Sequence, residues 1–157
     1  AANGHLAAVE WLDFNKLAGD DVITQAMDMA ALGGHLSVLE WLGKHRGWSC
    51  EEHVGYHAVH RGHLSVVEWL HKTHHNHELG YSSHSLHEAA GNGHLRMLEW
   101  LAANDSAHFG TKIRDRERHG GFFSIPSILG GAEEFDQLPV IEWIFAHTLS
   151  GILTKCY

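Results

Sequence analysis

From Leu36 to Lys44 the apolar residues Leu36, Val38, Leu39, Trp41 and Leu42 are interrupted by Ser37, Glu40 and Lys44, a helical rather than a stranded rhythm. At about 100° per residue the apolar five cover more than half of the helix circumference, and the polar three share the remaining stripe. A face that wide suits a helix covered by its own partner and by neighbours on both sides; a helix resting on one surface needs a narrower band. Trp41 falls near the edge of the apolar arc, beside Ser37. The pattern predicts that the tryptophans are mostly buried shoulders between stacked units, packing residues rather than ligand contacts.

The same block recurs along the chain. Gly-His-Leu stands at Gly4-His5-Leu6, Gly34-His35-Leu36, Gly62-His63-Leu64 and Gly93-His94-Leu95. Each is followed by Glu-Trp-Leu, ending at Leu12, Leu42, Leu70 and Leu101. A period of 28 to 31 residues belongs to stacked helical hairpins. Ahead of the last three Gly-His pairs lies a shorter helical stretch, 24–31, 52–59 and 83–90; paired alanines in the first and last of these allow close helix approach. Thr24 and Ser83 are expected as N-caps, and the glycine of Gly-His supplies the left-handed residue that ends the first helix. A worn fifth copy runs from Gln137 to Ile144, with Gly-His replaced and Pro139 in the first turn. The connection between Ala102 and Ser124 is longer than its predecessors and reads as an inserted loop.

These residues resemble the ankyrin-repeat family, whose pattern is Thr-Pro-Leu-His-x-Ala-Ala-x-x-Gly-His-x-x-x-Val-x-x-Leu-Leu. The run from His84 to Leu95 keeps the Leu-His, the Ala-Ala and the Gly-His at the family's relative positions. The Glu-Trp-Leu ending resembles a Trp-bearing variant of long arrays. No repeat has the family's proline, and Asp28 and Tyr56 stand where it has histidine. The fold implied is all-α, an ankyrin-like helical-hairpin solenoid of about four and a half repeats with short or absent β-hairpin fingers. It forms a single domain over 1–157: a partial repeat at 1–19, repeats at 20–48, 49–78 and 79–108, and an irregular one at 109–157. The resemblance also implies a protein–protein interaction scaffold, with another protein bound on a concave face made by the first helices. Carried over by position, that face comprises Met29, Leu32 and Gly33, then His57, His60 and Arg61, then Glu88, Gly91 and Asn92.

Charge and candidate chemistry narrow the alternatives. Eleven Lys and Arg against nineteen Asp and Glu give a net charge of −8, which repels a polyphosphate and argues against nucleic acid. Seventeen histidines make that charge pH-sensitive. No apolar run approaches the roughly 20 residues that span a bilayer. The chain opens in mid-pattern at Ala1, so the expectation is a fragment of a longer array, with a cytoplasmic location. Cys50 and Cys156 lack the spacing of a zinc site or disulfide framework.

Histidines 53, 57 and 60 share one helical stripe, and His71, His74, His75 and His77 form a second cluster. These make a histidine-based metal-binding module the principal alternative, and a regulatory appendage of a longer protein another. There is no His-Glu-x-x-His, no Gly-x-Ser-x-Gly and no phosphate-cradling glycine loop, so the sequence points to no enzyme, no cofactor and no committed metal site. Cys50 lies three residues from His53, with no orienting partner. The segment 111–119, with four basic and two acidic residues, reads as a solvated loop that could dock an acidic peptide.

Overall fold

A computed structural model describes residues 1–15, 19–46, 51–73, 79–106, 109 and 125–149. Cys50, Cys156, His74, His75, His77 and the segment 111–119 lie outside them. The helices are α1 Leu6–Phe14, α2 Asp20–Leu32, α3 Leu36–Arg46, α4 Glu51–His60, α5 Leu64–Thr73, α6 Ser83–Gly91, α7 Leu95–Asn104, α8 Ile125–Glu134 and α9 Leu138–Leu149. Among the described residues there is no strand, as the all-α reading requires.

The helix starts differ from the caps read in the sequence. Thr24 lies inside α2, which begins four residues earlier because Asp20 and Asp21 place two carboxylates in its first turn, favourable to the helix dipole. The α6 cap is Ser82, not Ser83. The Ser82 hydroxyl accepts from the Ser85 amide, and the Ser85 hydroxyl accepts from the Ser82 amide, a reciprocal pair at 3.3 and 3.0 Å.

The chain divides into two compact units, Ala1–Tyr81 and Ser82–Tyr157. In the first, α2 packs on α3 and α4 packs on α5, giving two hairpins whose first helices lie side by side; α1 touches α3. Met27, Val38, Leu39, Leu42, Val59 and Val66 are fully buried there. An ion pair between Arg46 and Asp13 ties α3 to α1. In the second unit α6 packs on α7 and on α8, and α9 packs on α8 and α7. Its core includes Leu86, Met97, Leu98 and Leu101. A Cβ at Gly131 would stand 2.7 Å from the His87 carbonyl oxygen, so α6 and α8 approach more closely than a larger residue allows.

Each hairpin turns the same way. In the first unit Gly34 and Gly62 have φ of 70° and 72°, and the following His35 and His63 amides donate to Ala30 and Ala58, five residues back. This is the left-handed ending that glycine permits without steric cost. The histidine then acts between repeats. His35 Nε2 donates to the Ala2 carbonyl at 2.7 Å and His63 Nε2 to the Leu32 carbonyl at 3.0 Å. The His63 ring covers the bare face of Gly34, with Nδ1 2.5 Å from where a Cβ would be.

The worn repeat keeps this turn with other residues. Asp136 takes the left-handed position at φ 53°, and the Gln137 amide donates to Ala132 at 2.8 Å. Aspartate is among the few residues that tolerate that conformation. The Gln137 side chain lies over Gly93 as His63 lies over Gly34.

The tryptophans are less buried than the wheel suggested. Trp41, Trp69, Trp100 and Trp143 are half-buried, and Trp11 is 59% exposed. Beside the half-buried tryptophans the next residue carries the burial instead: Leu42, Leu70, Leu101 and Ile144 are 0%, 2%, 0% and 3% exposed. The arc edge that Trp41 occupies is where one side of a ring meets water. Its indole is covered partly by His45, stacked at 4.3 Å, whose Nδ1 donates to the Trp41 carbonyl.

Candidate partner-binding surface

In the first unit the expected surface residues fall on α2, α4 and the turns that end them. Met29 and Arg61 are exposed, and Leu32, His57 and His60 are half-buried. In the second unit Glu88 is half-buried and Asn92 exposed at the end of α6, where the Asn92 side-chain amide donates to the Glu88 carbonyl at 2.8 Å. Gly91 is buried, its bare face 3.0 Å from the Phe135 ring, so it belongs to the packing and not to a free surface.

Between α2 and α4 the first unit gathers a polar cluster. Asp28 Oδ2 lies 3.7 Å from His53 Nδ1, an ion pair whenever that histidine is protonated. Asp28 Oδ1 and His57 Nδ1 are both buried and, among the described residues, neither has a hydrogen-bond partner. Tyr56 stands edge-on to both the His57 and the His60 rings, at 5.3 and 5.9 Å. Asp28 was not among the expected site residues. Its signal was its position, since it stands where the fourth repeat has His87.

Burial holds the His57 pKa below its ordinary value of 6.5. The Asp28 carboxylate opposes the shift, while His53, His60 and Arg61 add to it. Below 6.5 the unfolded chain takes up a proton at this position that the folded chain refuses, so stability falls as pH drops from 6.5 toward the folded pKa. Melting temperature is expected to decrease between pH 7.5 and 5.5, with a smaller decrease in His57→Gln; an identical slope in both proteins would contradict the assignment.

Among the described residues no three His, Cys, Asp or Glu side chains form a group that could hold a metal ion. His53, His57 and His60 share a helix stripe, but Asp28 and Tyr56, not a common centre, define their surroundings. No helix among the described residues is long and apolar enough to cross a membrane.

Residues 56–102 match the family model described as ankyrin repeats (many copies). No curated protein and no solved structure matches the chain.

Proposed function

We propose, from the match of residues 56–102 to ankyrin repeats, that the chain is an interaction scaffold of the cytoplasm that holds another protein on the face made by its first helices. Ankyrin repeats are in general protein–protein interaction modules. The observation that carries the reading is the contrast between the buried and the accessible positions of the repeat. The second helices α3 and α5 bury Val38, Leu39, Leu42, Val66, Val67 and Leu70 at fixed places in the motif. The first helices α2 and α4 bury Met27, Ala30, Val54 and Val59 as well, but they and their turns also present Met29, His57, His60 and Arg61, which differ from repeat to repeat. Constant positions supply the core, and variable, accessible positions are where specificity can reside. Their chemistry, a thioether, two imidazoles and a guanidinium, suits a partner that offers apolar and acceptor groups together. The proposal assigns no reaction to the chain.

The test is capture from a lysate by the intact chain and by a variant with Met29, His57, His60, Arg61 and Glu88 replaced by alanine. The expected result is a partner lost from a variant whose circular dichroism is unchanged. A partner held equally by both would move the binding surface to the loops or to the second helices, against the proposal.

A further inference from the structure

One stripe of α4 carries cations that the repeat does not need. His53, His57, His60 and Arg61 fall within about 100° of arc. The Arg61 amide still donates to the His57 carbonyl at 3.1 Å, so the arginine continues the helical stripe just beyond His60. Arg61 is exposed, the His53 side chain is 65% exposed, and His57 and His60 are half-buried. Setting Gly62 on Gly34 pairs these four with Gln25, Met29, Leu32 and Gly33 of the preceding repeat, none of which ionises. The last turns of α2 and α6 hold no basic residue, whereas α4 places His57 and His60 in its own. Cations at a helix C-terminus are favourable, but the other first helices form without that gain.

The groups around the stripe leave it short of negative charge. From α2 comes Asp28, 3.7 Å from His53 and acting also on His57. From α4 and its turn come His53, His60 and Arg61, and the Tyr56 ring stands edge-on to His57 and His60. No charge of α5 is among those acting on His57. One carboxylate, with Oδ1 buried, thus meets three imidazoles and a guanidinium. Among the described residues the Arg61 guanidinium has no ion-pair partner, in a chain with nineteen acidic residues against eleven basic ones. An exposed guanidinium is a planar fork that takes a carboxylate in two parallel hydrogen bonds. The imidazoles beside it add N–H donors and gain charge with each proton they take up.

We propose that this stripe of α4 holds an acidic segment of the partner protein, Arg61 binding a carboxylate at every pH and His53, His57 and His60 adding charge as pH falls. The inference rests on the reading of the first helices as the partner surface, and adds the chemistry of the partner and its proton linkage. A bound carboxylate favours the charged form of each imidazole. Binding therefore takes up protons and tightens on acidification. This runs opposite to stability: the chain alone resists protonating His57, the complex favours it, and so an acidic partner offsets part of the stability lost in acid. The net charge of −8 opposes the encounter only at a distance, because at about 0.15 M salt charges more than roughly 8 Å away are largely screened.

Fluorescence anisotropy with a labelled octaglutamate peptide tests the inference, at physiological salt and at a temperature where circular dichroism shows the whole chain folded at both pH 7.5 and pH 5.5. The Kd is expected to fall about tenfold or more between them, the change that one proton gained per bound peptide gives over one pH unit. Arg61→Gln should weaken binding about fivefold or more at both pH values. The double variant His53→Gln, His60→Gln should bind near the parent's Kd at pH 7.5 and lose most of the pH dependence. Lys72→Gln removes the same charge from an exposed position on α5 and should change little. No binding at pH 5.5, or a Kd indifferent to pH, would overturn the proposal. So would Lys72→Gln weakening the peptide as much as Arg61→Gln, which would reduce the effect to net charge. A lysate partner lost from the five-alanine variant but fully held by Arg61→Gln would also overturn it, while leaving the scaffold reading intact.

Discussion

Replacing Gly55 by alanine is expected to destabilise the first unit by about 3 kcal/mol or more, although one methyl group is all that is added. A Cβ at this position would lie 1.4 Å from the Leu79 carbonyl oxygen and 2.6 Å from its carbon. Neither is the end of a flexible side chain, so relief requires moving the backbone of Leu79–Gly80, where Leu79 is buried. The repeat register explains why a glycine is tolerated inside α4. Gly55 aligns with Met27 in α2 and Leu86 in α6, both fully buried core residues. Where those helices fill the space with a side chain, α4 fills it with the peptide that returns from α5. Glycine inside a helix costs about 1 kcal/mol relative to alanine, and the packed peptide offsets that cost. Thermal unfolding followed by circular dichroism measures the change, expected as a fall of about 6–12 °C for a chain of this size. Gly130→Ala is the matched control: in α8, with nothing within 4 Å of the added carbon, it should gain about 0.5–1 kcal/mol. Equal effects at the two sites would show that helix propensity alone, and not the Leu79 peptide, governs Gly55.

The difference between these glycines marks what a sequence can reveal. Gly-His-Leu and Glu-Trp-Leu fixed the hairpin period, the left-handed turns and the second helices, because each depends on residues within one repeat. The worn copy was readable in its second helix but not in its turn, which Asp136 and Gln137 reproduce by local hydrogen bonding without the Gly-His pair. Gly55 was not readable, because the atom it makes room for belongs to a residue 24 positions on. The same holds for the Asp28, His53 and His57 cluster. A helical stripe groups three histidines on α4, but only the packing of α2 against α4 adds the carboxylate, leaving Asp28 Oδ1 and His57 Nδ1 buried while His53 stays exposed. The motif places Met29, His57, His60, Arg61 and Glu88 before the turns, but it could not rank their exposure: Met29 and Arg61 are exposed, while His57, His60 and Glu88 are half-buried.

Truncating the leucine of Glu-Trp-Leu should have effects that follow burial and not motif. Leu42→Ala and Leu101→Ala each remove three carbons of a fully buried side chain, and each is expected to cost about 2–5 kcal/mol through lost transfer energy and the cavity left behind. Leu12→Ala, the same letter of the same motif, removes a side chain that is 39% exposed in α1, and should cost about 0.5 kcal/mol when measured at low micromolar concentration. Trp41→Ala tests the adjacent position. Full burial would bring about 3–5 kcal/mol, but half-burial leaves part of the indole already in water, so its cost should fall below that of Leu42→Ala despite the larger side chain. Urea unfolding of the four variants ranks them directly. If Trp41→Ala proved the more costly, the tryptophan and not the leucine would anchor the stack, and the apolar arc would have to be rotated by one position. The expected order instead follows from a helix that turns its leucine inward between neighbours and leaves its tryptophan half in solvent, with Glu40 exposed beside it.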